Sequence, residues 1–174
     1  TALIRAAAQL APPGVQVVPY TGLRELPHYD ADLDGEAAPK PVVDLRERIE
    51  RADALLIASP EYNYSIPGAL KNAIDWASRP AMTSVLRHKP VAVIGAATGG
   101  FGGVRAQLAL RQVWLWTRSI PVSWPEVLVS HAASRFDDAG NLTDETSRGL
   151  LGELLESVRG AVERERRQLD AVSR

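Results

Sequence analysis

The sequence predicts an α/β fold built on a parallel sheet. Two short, nearly unbroken apolar runs carry that prediction: ALLIAS at Ala54–Ser59 and VAVIGAA at Val91–Ala97. Runs of that length have the composition of strands buried on both faces, and parallel sheets are covered on both faces. Helix-like segments separate them, and a strand–helix–strand alternation closes as a right-handed parallel unit.

Each element follows in order. Residues 1–11, TALIRAAAQLA, read as a helix with Leu3, Ala7 and Leu10 on one face, stopped by Pro12-Pro13-Gly14. Val15–Pro19 reads as a short β-branched strand, and residues 20–41, rich in Pro, Gly and Asp, as a long loop. Val42–Ala52 is a charged helix with a sparse apolar side of Val43, Leu45 and Ile49. Pro67–Ser78 is a helix with Pro in its first turn and Ser65 as its expected cap. The spacing predicts a further helix from Gly102 to about Thr117, then one or two strand pieces around Pro125 within Ile120–Ser130. FDDAGNL, Phe136–Leu142, reads as a turn. Thr143 is expected to cap a last helix that runs to about Leu169.

Bulk properties narrow the function. A chain of 174 residues suits one domain, and a formal charge of −1 leaves no basic field for nucleic acid. Cysteine is absent, which excludes disulfides, thiolate metal sites and cysteine nucleophiles. The three histidines, His28, His88 and His131, have no metal-ligand spacing and are expected on loops or the surface. No metal site is expected. No stretch approaches the ~20 apolar residues of a membrane span. No signal peptide is visible, and the expected setting is cytoplasmic.

The chemistry is expected in two loops. Ligands bind beyond the carboxyl ends of strands in open parallel sheets. PEYNYS, Pro60–Ser65, follows one apolar run, and TGGFGG, Thr98–Gly103, follows the next. In the first, Pro60 ends strand pairing, Tyr62 and Tyr64 offer flat faces with polar tips, and Asn63 both donates and accepts. The second is nearly free of side chains, which lets its backbone approach a planar ligand. The pair describes a slot for a flat, polar-edged ring. TGGFGG alone fits neither a dinucleotide fingerprint nor a P-loop.

The contiguous stretch SPEYNYSIPGALKNAIDW, residues 59–76, resembles the signature loop of the NADPH-dependent FMN reductase family, which includes quinone, azo-dye and chromate reductases. The likeness continues through GGFGGVRAQLALRQV, PEVLV and FDDAGNLTDE and spans most of residues 1–155. It implies a flavodoxin-like, doubly wound parallel sheet in strand order 2-1-3-4-5. It also implies that Pro60, Glu61, Tyr62 and Asn63 border the isoalloxazine ring of FMN, and that Thr98, Gly99, Gly100 and Gly102 close its other side. NAD(P)H would deliver hydride, and a quinone, free flavin or another small-molecule acceptor would take it. A homodimer or homotetramer is implied in the same way.

Two departures stand out. Many relatives carry Ser near position 97, where this chain has Ala97. Relatives also begin with an apolar strand and a phosphate-binding loop ahead of the helix that resembles TALIRAAAQL. The chain is therefore expected to be a single flavin-binding domain that lacks its first strand and to hold FMN poorly as it stands. No general acid or base is assigned. Glu61 is expected to hold its loop through hydrogen bonds, since hydride transfer needs no carboxylate. Arg105 and Arg111 remain open between an anionic nucleotide, Glu126 of a neighbouring copy and a solvated face. Trp76 is expected to pack its helix on the sheet, and Trp114, Trp116 and Trp124 to lie in the core or at an interface. An electron carrier without turnover and a flavin-free scaffold stay as alternatives.

Overall fold

The computed structural model describes residues 1–172. Helix α1 is Ala2–Gln9, α2 is Lys40–Arg51, strand β1 is Leu55–Ala58 and α3 is Gly68–Ala77. They are followed by β2, Pro90–Ala96; α4, Val104–Thr117; β3, Ile120–Val129; and α5, Glu145–Val172. Among the described residues the sheet has three strands in the order β1-β2-β3, all parallel. That order is the 3-4-5 part of the flavodoxin-like sheet expected from the resemblance.

The two-residue period of a strand sends alternate side chains to opposite faces, and both faces are covered. Ala92 and Ile94 of β2 pack with Leu3, Ala6 and Ala7 of α1 and with Leu151, Leu154 and Leu155 of α5. Val91 of β2 packs on the other side with Leu45 and Ile49 of α2, Ile74 of α3 and Leu110 and Trp114 of α4. β2 is thus the central, buried strand. β1, expected to be buried on both faces, is only half-buried throughout because it lies at an edge of the three-stranded sheet.

Val15–Pro19 is not a strand. A strand exists through bonds to a neighbour, and among the described residues none pairs with this segment. Its Val18 side chain is exposed. The 20–41 loop contains three 3-10 turns, at Gly22–Glu25, Ala31–Leu33 and Gly35–Ala37. It is pinned to α3: Asn72 accepts from Tyr29 N and donates to Pro27 O, both at 2.8 Å. Trp76 belongs to the same joint. Its ring meets Tyr29 edge-on at 4.8 Å and its Nε1 donates to Pro27 O at 2.8 Å. The contacts that fix Trp76 therefore run to the loop and to Arg46 of α2, which lies 6.0 Å over its ring.

β3 reaches past a register shift: Ala92 pairs with Val122 and Ile94 with Val127, so β3 spends five residues where β2 spends two. Pro125 sits in this bulge, where no ladder bond is required of it. Two expected caps differ. Ser65 does not cap α3, which starts after Pro67; it is tied instead to Tyr62. Asp144 caps α5 by accepting from Ser147 N at 2.9 Å, while Thr143 Oγ1 donates to Arg135 O at 3.2 Å. The carboxylate also suits the positive end of the helix.

Candidate functional site

β1 and β2 are hydrogen-bonded neighbours, so the loops at their carboxyl ends leave the same edge of the sheet. Pro60–Ser65 leaves β1 through Ser59, which is buried and whose Oγ donates to Pro60 O at 2.9 Å. The loop then makes a closed turn. Tyr62 N donates to Ser65 O and Ser65 N to Tyr62 O, each at 2.9 Å. Between them Asn63 and Tyr64 both take left-handed backbone, φ 47° and 69°. That is the geometry of a two-residue hairpin turn, which ordinarily uses Asn-Gly. A tyrosine at the second place is strained.

Side chains hold this turn. Glu61 Oε2 accepts from Arg105 N at 2.9 Å, and Glu61 Oε1 accepts from Arg105 Nη1 at 2.9 Å. Glu61 thereby closes the start of α4, whose own N-cap, Gly103, has no side chain to do so. Burial alone would raise the Glu61 carboxyl, but hydrogen bonds from the Arg105 side chain and backbone outweigh it and hold the group below the usual carboxylate range. The Arg105 guanidinium also lies over the Tyr64 ring at 3.9 Å and the Phe101 ring at 4.4 Å.

The second loop is held by close backbone approach. A side chain on Gly95, at the end of β2, would lie 2.5 Å from Gly102 O. Gly102, at φ 57°, is buried against Leu128 of β3, where an added Cβ would lie 2.6 Å from that residue's carbonyl carbon. His131 N donates to Gly99 O at 3.0 Å and Ala132 N to Ala97 O at 2.9 Å, so the segment after β3 braces the loop from behind. Ala97 N in turn donates to Val129 O at 2.9 Å. Position 97 thus serves the loop through its backbone, and the absent hydroxyl leaves that bracing intact.

The eight residues singled out from sequence fall into two groups. Pro60, Tyr62, Asn63, Thr98, Gly99 and Gly100 are exposed along the rims of the two loops. Glu61 and Gly102 are turned inward, one to α4 and one to β3. Among the described residues, the backbone N–H groups of Asn63, Thr98 and Gly99 are not taken up by the bonds that close the loops. These donors, next to the exposed face of Tyr62 and an open approach at Gly99, can meet the acceptor edge of a flat ring. Arg105, open between three roles from sequence alone, pairs with Glu61, which lies 44 residues away, and no local spacing signals the pair. Arg111 pairs with Glu126 of its own chain. Trp114 is buried, whereas Trp116 and Trp124 are exposed.

The comparisons with known proteins agree on one family. The family model described as NADPH-dependent FMN reductase matches residues 1–134. An NAD(P)H-dependent FMN reductase of Pseudomonas aeruginosa is 42% identical over 158 residues, covering 91% of this chain and 84% of that protein. A quinone reductase of Pseudomonas putida is 41% identical over 142 residues, covering 82% and 76%. Among solved structures, the flavoenzyme NAD(P)H:(acceptor) oxidoreductase FerB of Paracoccus denitrificans superposes with a TM-score of 0.84 at 35% identity, over 94% of this chain and 89% of that one. With a parallel sheet, two loops at one sheet edge and these likenesses in agreement, the chain belongs to the NADPH-dependent FMN reductase family.

Proposed function

We propose that this protein is an FMN-dependent NAD(P)H oxidoreductase that passes hydride to a quinone or a similar small-molecule acceptor. One observation carries the site: two loops leave adjacent strands at the same sheet edge with uncommitted N–H donors between exposed, flat or side-chain-free rims. The donor set fits the ring of FMN, whose pyrimidine edge carries the acceptors N1, O2 and O4 on either side of the N3–H donor. Asn63, Thr98 and Gly99 would supply N–H groups to that edge, Pro60 and Tyr62 would border the ring, and Gly100 would leave it room. When bound, FMN supplies the hydride chemistry between nicotinamide and acceptor.

The chain's own residues do the rest. N–H donors fixed by closed loops stabilise negative charge on the ring edge without reorganising. No side chain is needed as general acid or base. Glu61, the nearest carboxylate on the first loop, is committed to Arg105 and the start of α4. The exposed rings of Tyr62, Tyr64 and Phe101 give the rim an apolar lining suited to flat acceptors.

Self-association is part of the same proposal. α4 leaves Leu108, Leu115 and Trp116 exposed at helical spacing, the last at 86%. Large apolar side chains in one stripe mark a surface that a partner covers, and a second copy is the partner the family resemblance implies. No helix among the described residues is long and apolar enough to cross a membrane. A cytoplasmic setting, where reduced nicotinamide nucleotides are supplied, completes the reading.

Steady-state turnover tests it. NADPH oxidation that requires both added FMN and a benzoquinone is the expected result. Flavin that binds but accepts nothing from NADPH or NADH would replace this reading with that of an electron carrier.

A further inference from the structure

The two loops of the slot are joined through one residue, Arg105, whose backbone N–H and guanidinium both donate to Glu61. Among the described residues, the hydrogen bonds, ion pair and ring contacts between Pro60–Ser65 and Thr98–Gly103 all run by way of Arg105. Glu61 and Tyr64 meet it from the first loop and Phe101 from the second.

Its placement is costly for the helix that carries it. Arg105 is the second residue of α4, and a cation there opposes the helix dipole. Glu61 offsets that cost, but a neutral residue would avoid it altogether. The residue is also not a loosely solvated surface charge: its side chain is 25% exposed and that of Glu61 15%. Geometry further favours Arg over Lys. A planar guanidinium can stack its faces on rings while its edge donates to a carboxylate; an ammonium cannot do both.

Tyr64 gives the second line of support. Its left-handed backbone persists only if its surroundings over-determine it. Two backbone bonds close the turn, and the Arg105 stack holds the Tyr64 ring. Without that stack the turn is free to relax toward negative φ, and the Asn63 N–H at its tip moves with it.

We infer that Arg105 is the positioning residue of the ring slot, fixing the spacing of the two loops and the aim of the N–H groups they offer. This rests on the proposed function for what the slot holds, but not for what Arg105 does to the loops. It touches no reacting atom in this account.

The test uses the whole chain with Arg105→Gln, Arg105→Lys, Glu61→Gln and the Glu61→Gln/Arg105→Gln pair. The first readout is flavin-free: backbone amide resonances by two-dimensional NMR. Arg105→Gln is expected to shift the amides of Asn63 and Tyr64 together with those of Thr98 and Gly99, while α5 amides stay in place and show that the fold is intact. Unmoved amides in either loop would overturn the inference. The second readout is the FMN dissociation constant from flavin fluorescence. Arg105→Gln is expected to weaken binding roughly tenfold, with the double variant no weaker than the worse single, as for residues acting as one unit. Arg105→Lys is expected not to rescue it. Full rescue by Lys, or unchanged affinity in Arg105→Gln, would also overturn it. Failure of the unmutated chain to bind FMN would count against the proposed function alone, because the amide shifts would still decide the role of Arg105.

Discussion

The two loops at the sheet edge are built by opposite means. Pro60–Ser65 is held by side chains: a carboxylate, a guanidinium and two rings fix a strained turn. Thr98–Gly103 is held by the lack of them: Gly95 and Gly102 let backbone lie against backbone, and a neighbouring segment braces the rest. A loop of the first kind depends on charge and therefore on pH. A loop of the second kind depends on volume and does not. Both leave backbone N–H groups that the loop-closing bonds do not use, at Asn63 in the first and at Thr98 and Gly99 in the second.

The largest expected effect is steric and belongs to the second loop. In Gly102→Val the new Cβ would lie 2.6 Å from the Leu128 backbone at a φ of 57°. Overpacking against backbone together with left-handed strain is expected to destabilise the chain by about 3 kcal/mol, read from urea unfolding with no dependence on pH from pH 4 upward at about that size. A mild effect, within the noise of a surface substitution, would show that the second loop gives way and that the contrast is false.

The first loop should respond to acid instead. The Glu61 carboxyl is held low in the folded chain, from an ordinary value of 4.5. A depressed carboxyl contributes stability that is present above its unfolded pKa and lost as pH falls through the folded one. The unmutated chain should therefore exceed Glu61→Gln in stability near neutral pH, and the two should converge as pH drops below about 4.5. Parallel curves through that window would remove the charge from the account of this loop.

Two smaller effects sharpen the division. Tyr64→Gly relieves left-handed strain worth ~1 kcal/mol and loses a cation–π contact of similar size, so net stability should change little. A clear gain would mean that the stack contributes nothing. Gly99→Ala should leave the unfolding midpoint unchanged, because a Cβ there meets nothing within 4 Å. Its effect is expected on FMN affinity instead, several-fold weaker by flavin fluorescence. A drop in midpoint would place Gly99 with Gly102 among the packing glycines.

Much of this was legible locally. ALLIAS and VAVIGAA are apolar enough to announce β1 and β2, and the two loops follow them directly in sequence. Pro125 was legible as an interruption, and it marks the bulge of β3. What sequence could not give are pairings set by distance. Glu61 reads as a carboxylate in a loop, and only the fold brings it to a helix start 44 residues on. Val15–Pro19 has strand composition, but composition does not provide a neighbour to bond. Trp76 has the apolar bulk of a sheet-packing residue, yet its indole N–H is fixed by Pro27 O. At α5, Thr143 and Asp144 are both good caps by type, and it is Asp144 that accepts from Ser147 N.

The measurement that bears most directly on the central claim is an anaerobic absorbance titration of the whole chain with FMN, followed by NADPH and then a benzoquinone. With FMN in excess to offset the weak hold expected from the sequence, a protein-bound flavin spectrum is expected that bleaches with NADPH and recovers with the quinone. A bound flavin that stays oxidised in NADPH, or an NADPH-bleached flavin that the quinone does not restore, would contradict it.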